Sequence, residues 1–270
     1  MGGSIAAIMA HADDIEYCAG ATLARHIGRG YRALYGVLSR CNSGWTKDAA
    51  RGGYYTSSQE IVPQRRAEAA AAARSFGAEL YQADLLENCY TRRDGTRVVP
   101  SFTGATRLSG ELIPIDLDLP DGPLMSVVAG AGTSWRDNPL ARDIAKLLIE
   151  WDPEIVIGQE VSNFNPDHFA AAQIVAVAWL LASEKKRIGP YWMPVMFPAP
   201  GSFQFPPLAP TDFVDVTGYE EACLRAMSCH RSQGGHLEVT HGELRANWKG
   251  WGARLGAVSA EAFREVYRAS

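Results

Sequence analysis

Two groups of polar side chains with metal-binding potential each follow a short apolar segment. The first group is His11, Asp13 and Asp14, and the second ends with His168. Because the carboxyl ends of parallel strands meet at one edge of a sheet, we expect the two groups to lie close together. Two imidazoles and one carboxylate suit Zn²⁺ and leave a coordination position open for water. One of the two adjacent aspartates can then be a ligand while the other serves as a base.

Both groups also fit a simpler interpretation as helix starts. An Asp-Asp pair is common at a helix N-terminus, where it caps the first turn and complements the helix dipole. The sequence Pro166-Asp167-His168 is equally suited to opening a helix. The occurrence of both groups after predicted strands of one sheet nevertheless favours the metal site.

The chain as a whole alternates between strand and helix patterns, which predicts an α/β fold with a Rossmann-like, mostly parallel sheet flanked by helices. Apolar segments predict strands at residues 5–10, 31–38, 79–83, 154–158 and 213–216. Helical periodicity with suitable end signals predicts helices at residues 19–29, 59–76, 139–151, 167–185, 219–230 and 259–268.

Residues 91–138 break this alternation and predict an irregular insert, either hairpins or a lid that determines specificity. No internal repeat or clean linker divides the chain, so we expect residues 1–270 to form a single domain. The proline-rich residues 190–210 are a second place where specificity could be determined.

Composition excludes several classes of protein. A net charge of −4 without a basic cluster argues against binding to nucleic acid or an anionic membrane. Five scattered cysteines without a C-x-x-C pair argue against a disulfide scaffold and a thiolate zinc site. The N-terminus has no basic segment, and no apolar run reaches the roughly 18–20 residues of a membrane span. We therefore expect a cytoplasmic enzyme, and the sequence leaves a homo-oligomer open.

The residues of the first group lie in a longer motif. The segment 10–16 reads A-H-A-D-D-I-E and is followed by A-G-A-T-L-A at 19–24. It resembles the A-H-P-D-D-x-E…G-G-T-L-A signature of the PIG-L/LmbE-like zinc-dependent N-acetylglucosaminyl deacetylases. Three later segments resemble motifs of that family in the same order: R-x-x-E at 65–68, P-D-H at 166–168 and H-R-S-Q at 230–233.

This resemblance implies a role for each residue of the two groups. His11, Asp14 and His168 would hold the zinc, and Asp13 would be the general base. Zinc lowers the pKa of bound water to about 7, so that a nearby carboxylate can take its proton during attack on an amide. Asp13 could then return this proton to the departing amine.

The chain departs from the family pattern at several positions. Ala12 replaces a proline, Asn165 stands where histidine is common, and Asn163 stands where some members have tyrosine. An amide can donate to an oxyanion but cannot act as an acid at neutral pH. We therefore expect Asn165 to stabilise the oxyanion and Asn163 to contact the substrate, which leaves Asp13 or His230 as the acid. His230 could instead simply stabilise the end of its helix.

The remaining candidates are assigned to the surroundings of the metal. Asp167 is expected to fix the orientation of a ligand imidazole, although a capping residue would have the same sequence pattern. Arg65 could grip sugar hydroxyls or a phosphate, or could form an ordinary i,i+3 pair with Glu68. Ser43 and Trp45 follow the second predicted strand and are candidate substrate contacts.

These expectations describe a zinc-dependent hydrolase that removes an acetyl group from a glucosamine-containing small molecule. The substrate class comes from the resemblance, because the residues alone indicate only metal-assisted hydrolysis. An amidase acting on a larger thiol-conjugate or pseudosaccharide amide is one alternative. A zinc-binding protein that has lost catalysis is another.

Overall fold

The computed structural model describes residues 2–41, 58–85, 137–160, 166–197, 209–233 and 237–268. It also describes two small hairpins, which pair Lys47–Asp48 with Gly53–Tyr54 and Tyr90–Thr91 with Arg97–Val98. Most of the predicted insert at 91–138 lies outside the described residues, so its role as a lid stays a prediction.

The described chain forms one mixed, mostly parallel sheet flanked by helices, which confirms the predicted fold class. Seven strands lie in the order β6-β7-β5-β4-β1-β2-β3, and β7 runs antiparallel to both β5 and β6. The strands are β1 Ser4–Met9, β2 Arg32–Ser39, β3 Glu79–Leu85, β4 Ile155–Ile157, β5 Tyr191–Pro194, β6 Asp212–Asp215 and β7 Ala260–Tyr267.

Helices cover both faces of this sheet. They are α1 Asp14–Gly28, α2 Ser58–Phe76, α3 Pro139–Trp151, α4 Pro166–Ser183, α5 Glu220–Met227 and α6 Leu237–Leu255. Within the described residues, none of the helices combines the length and the hydrophobicity needed to cross a membrane.

Strand β1 is buried along its whole length because it contributes to two cores. Ile5, Ala7 and Met9 pack in the core that contains residues of α1, α2, α5 and α6. Ala6 and Ile8 pack in the opposite core with residues of α3 and α4. The alternation follows from the period of two along a strand, and burial of both faces explains why this segment is uniformly apolar.

The order of the strands reverses beside β1. Strands β2 and β3 follow on one side of it, whereas β4 and β5 lie on the other, and β1 pairs in parallel with both β2 and β4. In open α/β sheets a crevice forms beyond the carboxyl ends of the strands at such a switch point. The turn after β1 and residues 158–160 after β4 lie at this edge of the sheet.

The predicted helix at 259–268 is wrong, because residues Ala260–Tyr267 form strand β7. Alanine, glutamate and arginine favour a helix locally, but pairing with two strands overrides that propensity. The register also suits the side chains, since Phe263 stacks on Trp192 while Ala262 packs in a separate cluster with Trp251.

Two further elements were missed. Helix α6 contains Gly242, Gly250 and Gly252, which weaken the helical signal. Burial of Leu244, Trp248 and Trp251 provides the packing that keeps this segment helical. The other element is β5, which lies at the start of the proline-rich residues 190–210.

Helix α1 begins at Asp14, five residues before the predicted start, and a buried carboxylate contacts its middle. Glu261 on β7 accepts hydrogen bonds from the backbone N–H groups of Ala21 at 3.2 Å and Thr22 at 2.8 Å, and from Trp248 Nε1 at 3.0 Å. Burial raises the pKa of Glu261 above its usual value, and these hydrogen bonds offset part of that effect. The contacts tie α1 to β7 and α6.

Replacing Glu261 with alanine should therefore destabilise the fold. The change removes the buried acceptor of the Trp248 indole N–H and two contacts with the backbone of α1, which should lower the free energy of unfolding by about 2–4 kcal/mol. Urea unfolding followed by circular dichroism measures it. The matched control is Glu265→Ala on the same strand, where an ion pair with exposed Arg268 is lost and the change should stay under about 1 kcal/mol. Equal stability of Glu261→Ala and wild type would contradict this account.

Candidate metal centre and active site

Three side chains converge at the edge of the sheet where β1 and β4 end. His11 Nδ1 lies 3.2 Å from His168 Nε2 and 3.2 Å from Asp14 Oδ2, and His168 Nε2 lies 3.3 Å from Asp14 Oδ1. The structure therefore brings together residues that are 157 positions apart in the chain, as their places after two parallel strands predicted.

The separations between these atoms suit a tetrahedral metal site. With bonds of about 2.0–2.2 Å, the donor atoms around a tetrahedral zinc ion lie about 3.3–3.6 Å apart. The three observed distances are close to that spacing, and one ligand atom from each residue lies within 4.8 Å of the others. Two imidazoles and one carboxylate also form the donor set of open catalytic zinc sites. The residues present therefore fit a metal ion with a free coordination position.

The turn after β1 is held in place from two sides. Gln159, which follows β4, accepts a hydrogen bond from the backbone N–H of Ala10 through Oε1 at 2.7 Å. The backbone N–H of His11 donates to Asp14 Oδ2 at 2.8 Å. Sequence analysis missed Gln159, although its position just beyond a predicted strand was a usable signal.

The surroundings of Asp14 favour its ionised form. Burial alone would raise its pKa, but attraction and hydrogen bonding from His168 and His11 hold the pKa well below the usual value of 3.8. An ionised carboxylate is the form that binds a metal ion, and binding requires the imidazoles to be neutral.

Asp167 lies on the other side of the His11 ring. Its Oδ2 is 3.3 Å from His11 Nε2, while Nδ1 of the same ring faces Asp14 and His168. This is the contact that the expected orienting role of Asp167 requires. By contrast, His168 Nδ1 is buried and makes no hydrogen bond within the described part of the chain.

Asp13 occupies the N-cap position of α1 but makes no capping hydrogen bond with its side chain. Its Oδ2 instead accepts a hydrogen bond from Arg65 Nη2 on α2 at 3.0 Å. The interpretation of Asp13 as a simple helix cap is therefore wrong. Its side chain remains 26% exposed, so the carboxylate is partly accessible to solvent.

The predicted i,i+3 pair of Arg65 with Glu68 is present, but it is buried. The Arg65 side chain is only 2% exposed, so it is not part of a surface ion pair, and its guanidinium is committed to Asp13. Glu68 does lie close, with Oε2 3.5 Å from Arg65 Nη1. The predicted contact of Arg65 with sugar hydroxyls or a phosphate stays a prediction.

His230 belongs to a fully buried cluster. Its Nε2 lies 3.2 Å from Glu16 Oε1, and Tyr35 donates its hydroxyl hydrogen bond to the same carboxylate at 2.9–3.0 Å. Both His230 and Glu16 have no exposed side-chain surface. A proton donor to the substrate has to reach the crevice, so this environment speaks against the predicted acid role of His230. Burial raises the pKa of Tyr35, which keeps its phenol protonated as a donor.

Four predicted site residues lie outside the described residues. They are the expected oxyanion and substrate donors Asn165 and Asn163, and the expected substrate contacts Ser43 and Trp45. Their roles stay predictions.

Comparison with known proteins identifies the family of the chain. The chain matches the model of the PIG-L family, described as GlcNAc-PI de-N-acetylase, over residues 6–179. No curated protein sequence matches the chain.

Several solved structures share the fold. They include 4-carboxy-2-hydroxymuconate hydratase GalB from Pseudomonas putida, with 19% identity, coverage of 98% of this chain and 96% of that one, and a TM-score of 0.64. N,N'-diacetylchitobiose deacetylase from Pyrococcus horikoshii has 18% identity, coverage of 97% and 83%, and a TM-score of 0.63. The zinc-inhibited form of teicoplanin deacetylase Orf2 has 19% identity, coverage of 96% and 97%, and a TM-score of 0.62.

The family match spans most of the chain and contains both the turn after β1 and the start of α4, which together supply His11, Asp14 and His168. On this match and on the shared fold, the chain belongs to the PIG-L family of de-N-acetylases.

Proposed function

We propose that this protein is a zinc-dependent hydrolase that removes the acetyl group from the 2-amino group of a glucosamine-containing small molecule. The observation that carries the proposal is the cluster of His11, Asp14 and His168, in which the two imidazole nitrogens lie 3.2 Å apart and each lies 3.2–3.3 Å from a different oxygen of the Asp14 carboxylate. The carboxylate of Asp13, which makes no capping hydrogen bond, lies next to Asp14 in the chain. Membership of the family supports de-N-acetylation as the reaction.

The ligand atoms would be His11 Nδ1, His168 Nε2 and a carboxylate oxygen of Asp14. A bound zinc ion would supply Lewis acidity, which lowers the pKa of a water molecule and polarises the amide carbonyl. Asp167 would hold the His11 ring through Nε2 and so fix the tautomer that exposes Nδ1 to the metal.

Asp13 would act first as base and then as acid. Its carboxylate takes a proton from the attacking water and gives it to the amine nitrogen as the C–N bond breaks. We assign both transfers to Asp13 because the His230 imidazole is buried against Glu16. Asn165 remains the expected donor to the oxyanion.

The substrate class rests on the family and on similar folds. The Pyrococcus horikoshii neighbour is a deacetylase of N,N'-diacetylchitobiose, and the Orf2 neighbour is a deacetylase of teicoplanin. The hydratase GalB has the same fold, so the fold alone does not determine the reaction. The assay therefore has to separate hydrolysis of amides from hydration.

Replacing each ligand in turn tests the metal site. His11→Ala, Asp14→Ala and His168→Ala should each abolish stoichiometric zinc, because each change removes one of three ligands from the site. Elemental analysis of the purified proteins measures the metal content. His241→Ala on α6 is the control, since His241 is not part of the ligand cluster and its Nε2 lies 3.5 Å from Ser228 Oγ, and it should retain one zinc per chain. Full zinc content in any of the three ligand variants would refute the assignment.

Replacing Asp13 tests its role as the general base. Asp13→Asn should keep zinc but lower kcat by roughly 10²–10⁴-fold, because the amide cannot accept the proton of water. Steady-state kinetics combined with elemental analysis separates loss of chemistry from loss of metal. The exposed Asp215→Asn on β6 should behave like wild type. Near-normal turnover of Asp13→Asn would assign proton transfer to another group.

A panel of compounds tests the class of substrate. Zinc-loaded protein should release free amine and acetate from at least one N-acetylated glucosamine derivative. The panel should include thiol conjugates and pseudosaccharide amides, which represent the amidase alternative, and unsaturated hydroxy acids, which represent hydration. Release of amine only from the larger amides would favour the amidase. Absence of turnover on every compound, with one zinc bound, would favour a protein that has lost catalysis.

A further inference from the structure

The general base is held by a buried arginine from another helix. Arg65 Nη2 donates to Asp13 Oδ2 at 3.0 Å, and the arginine side chain is 2% exposed. Within the described part of the chain, Oδ1 of Asp13 accepts no side-chain hydrogen bond. The contact therefore fixes one oxygen of the carboxylate, while the side chain of Asp13 stays 26% exposed.

A second carboxylate forms an ion pair with that arginine. Glu68 lies one helical turn beyond Arg65 on α2, and its Oε2 is 3.5 Å from Arg65 Nη1. The planar guanidinium thus presents one terminal nitrogen to Asp13 and the other to Glu68. A buried arginine needs such anionic partners, because an unpaired charge in the interior is costly.

Glu68 is itself fixed by a segment from the far end of the chain. The backbone N–H of Ser232 donates to Glu68 Oε1 at 2.7 Å, and Ser232 Oγ donates to Glu68 Oε2 at 2.6 Å. Gln64 adds a hydrogen bond to Oε1 at 3.1 Å. Both Glu68 and Ser232 are buried. The result is a continuous chain of contacts that runs from Ser232 through Glu68 and Arg65 to Asp13.

We propose that Glu68 and Ser232 are positioning residues for the general base, acting through Arg65. Ser232 holds the Glu68 carboxylate, Glu68 holds the guanidinium, and the guanidinium holds Asp13 Oδ2 so that Oδ1 faces the site of proton transfer. The inference rests on the proposed role of Asp13. The proposed reaction itself assigns no role to the H-R-S-Q segment at 230–233. The inference assigns one to its serine, Ser232, which holds the Glu68 carboxylate.

The test is a double-mutant cycle between Ser232→Ala and Arg65→Ala. In the wild-type background, Ser232→Ala should lower kcat roughly 10- to 100-fold with little change in KM, because small displacements of a catalytic group are costly. In the Arg65→Ala background the same change should lower kcat less than about twofold, because the path to Asp13 is already broken. Zinc content should stay at one per chain throughout. Ser228→Ala is the control, since its exposed hydroxyl bonds the backbone of α5.

Several results would overturn the proposal. Equal losses in both backgrounds would mean that Ser232 acts independently of Arg65, and an effect on KM alone would mean that it acts on substrate binding. If either variant fails to fold, Glu68→Gln, which conserves the shape of the side chain, should still show the loss in kcat. A normal kcat of Glu68→Gln would contradict the positioning role of Glu68 and Ser232. A crystal structure of Ser232→Ala should show Arg65 Nη2 displaced from its 3.0 Å contact with Asp13, whereas an unchanged contact would contradict the inference.

The outcome is separable from that of the proposed function. If the wild-type protein hydrolyses amides and the effects in the double-mutant cycle are additive, the positioning role is wrong and the hydrolase assignment stands. If the wild-type protein catalyses a different reaction, the hydrolase assignment is wrong. The double-mutant cycle, measured on that reaction, and the crystal structure then still test the positioning role.

Discussion

The parallel pairing of β1 with β4 is the constraint on which the candidate site depends. It places the turn after β1 next to the start of α4 and so brings His11 Nδ1 to within 3.2 Å of His168 Nε2. Gln159 extends the connection past the end of the ladder by accepting the N–H of Ala10. Any shift between these two strands would separate the imidazoles, which means that the geometry for a metal ion is built into the sheet itself.

Helix α1 is the second element on which the site depends, and buried carboxylates locate it. Glu16 near its start contacts Tyr35 on β2 and His230, while Glu261 on β7 accepts two N–H groups from its middle. Gly20 permits the close approach of Cys223, whose Sγ donates to the backbone carbonyl of Glu16. Each buried charge is thus matched by donors, and together they fix the N-terminal end of α1, which carries Asp13 and Asp14.

The sequence was sufficient to predict the parts of the site that follow from strand ends. His11 and His168 could be placed together because reactive groups collect beyond the carboxyl ends of parallel strands. The contact of Arg65 with Asp13 could not be predicted, because it depends on how α2 packs beside α1. The same limit applies to His230, whose partner Glu16 lies 214 residues away. Strand β7 was mistaken for a helix because its alanines and glutamates have helical propensity, whereas pairing with β5 and β6 decides its structure.

We propose that His11, Asp14 and His168 bind one zinc ion and that Asp13, which is held by Arg65, stays outside its coordination sphere. Anomalous diffraction from crystals of the zinc-loaded protein, recorded on both sides of the zinc absorption edge, tests it most directly. The account predicts one anomalous peak about 2.0–2.2 Å from His11 Nδ1, His168 Nε2 and a carboxylate oxygen of Asp14. A peak coordinated by Asp13 in place of Asp14, or no peak between the two imidazoles, would contradict it.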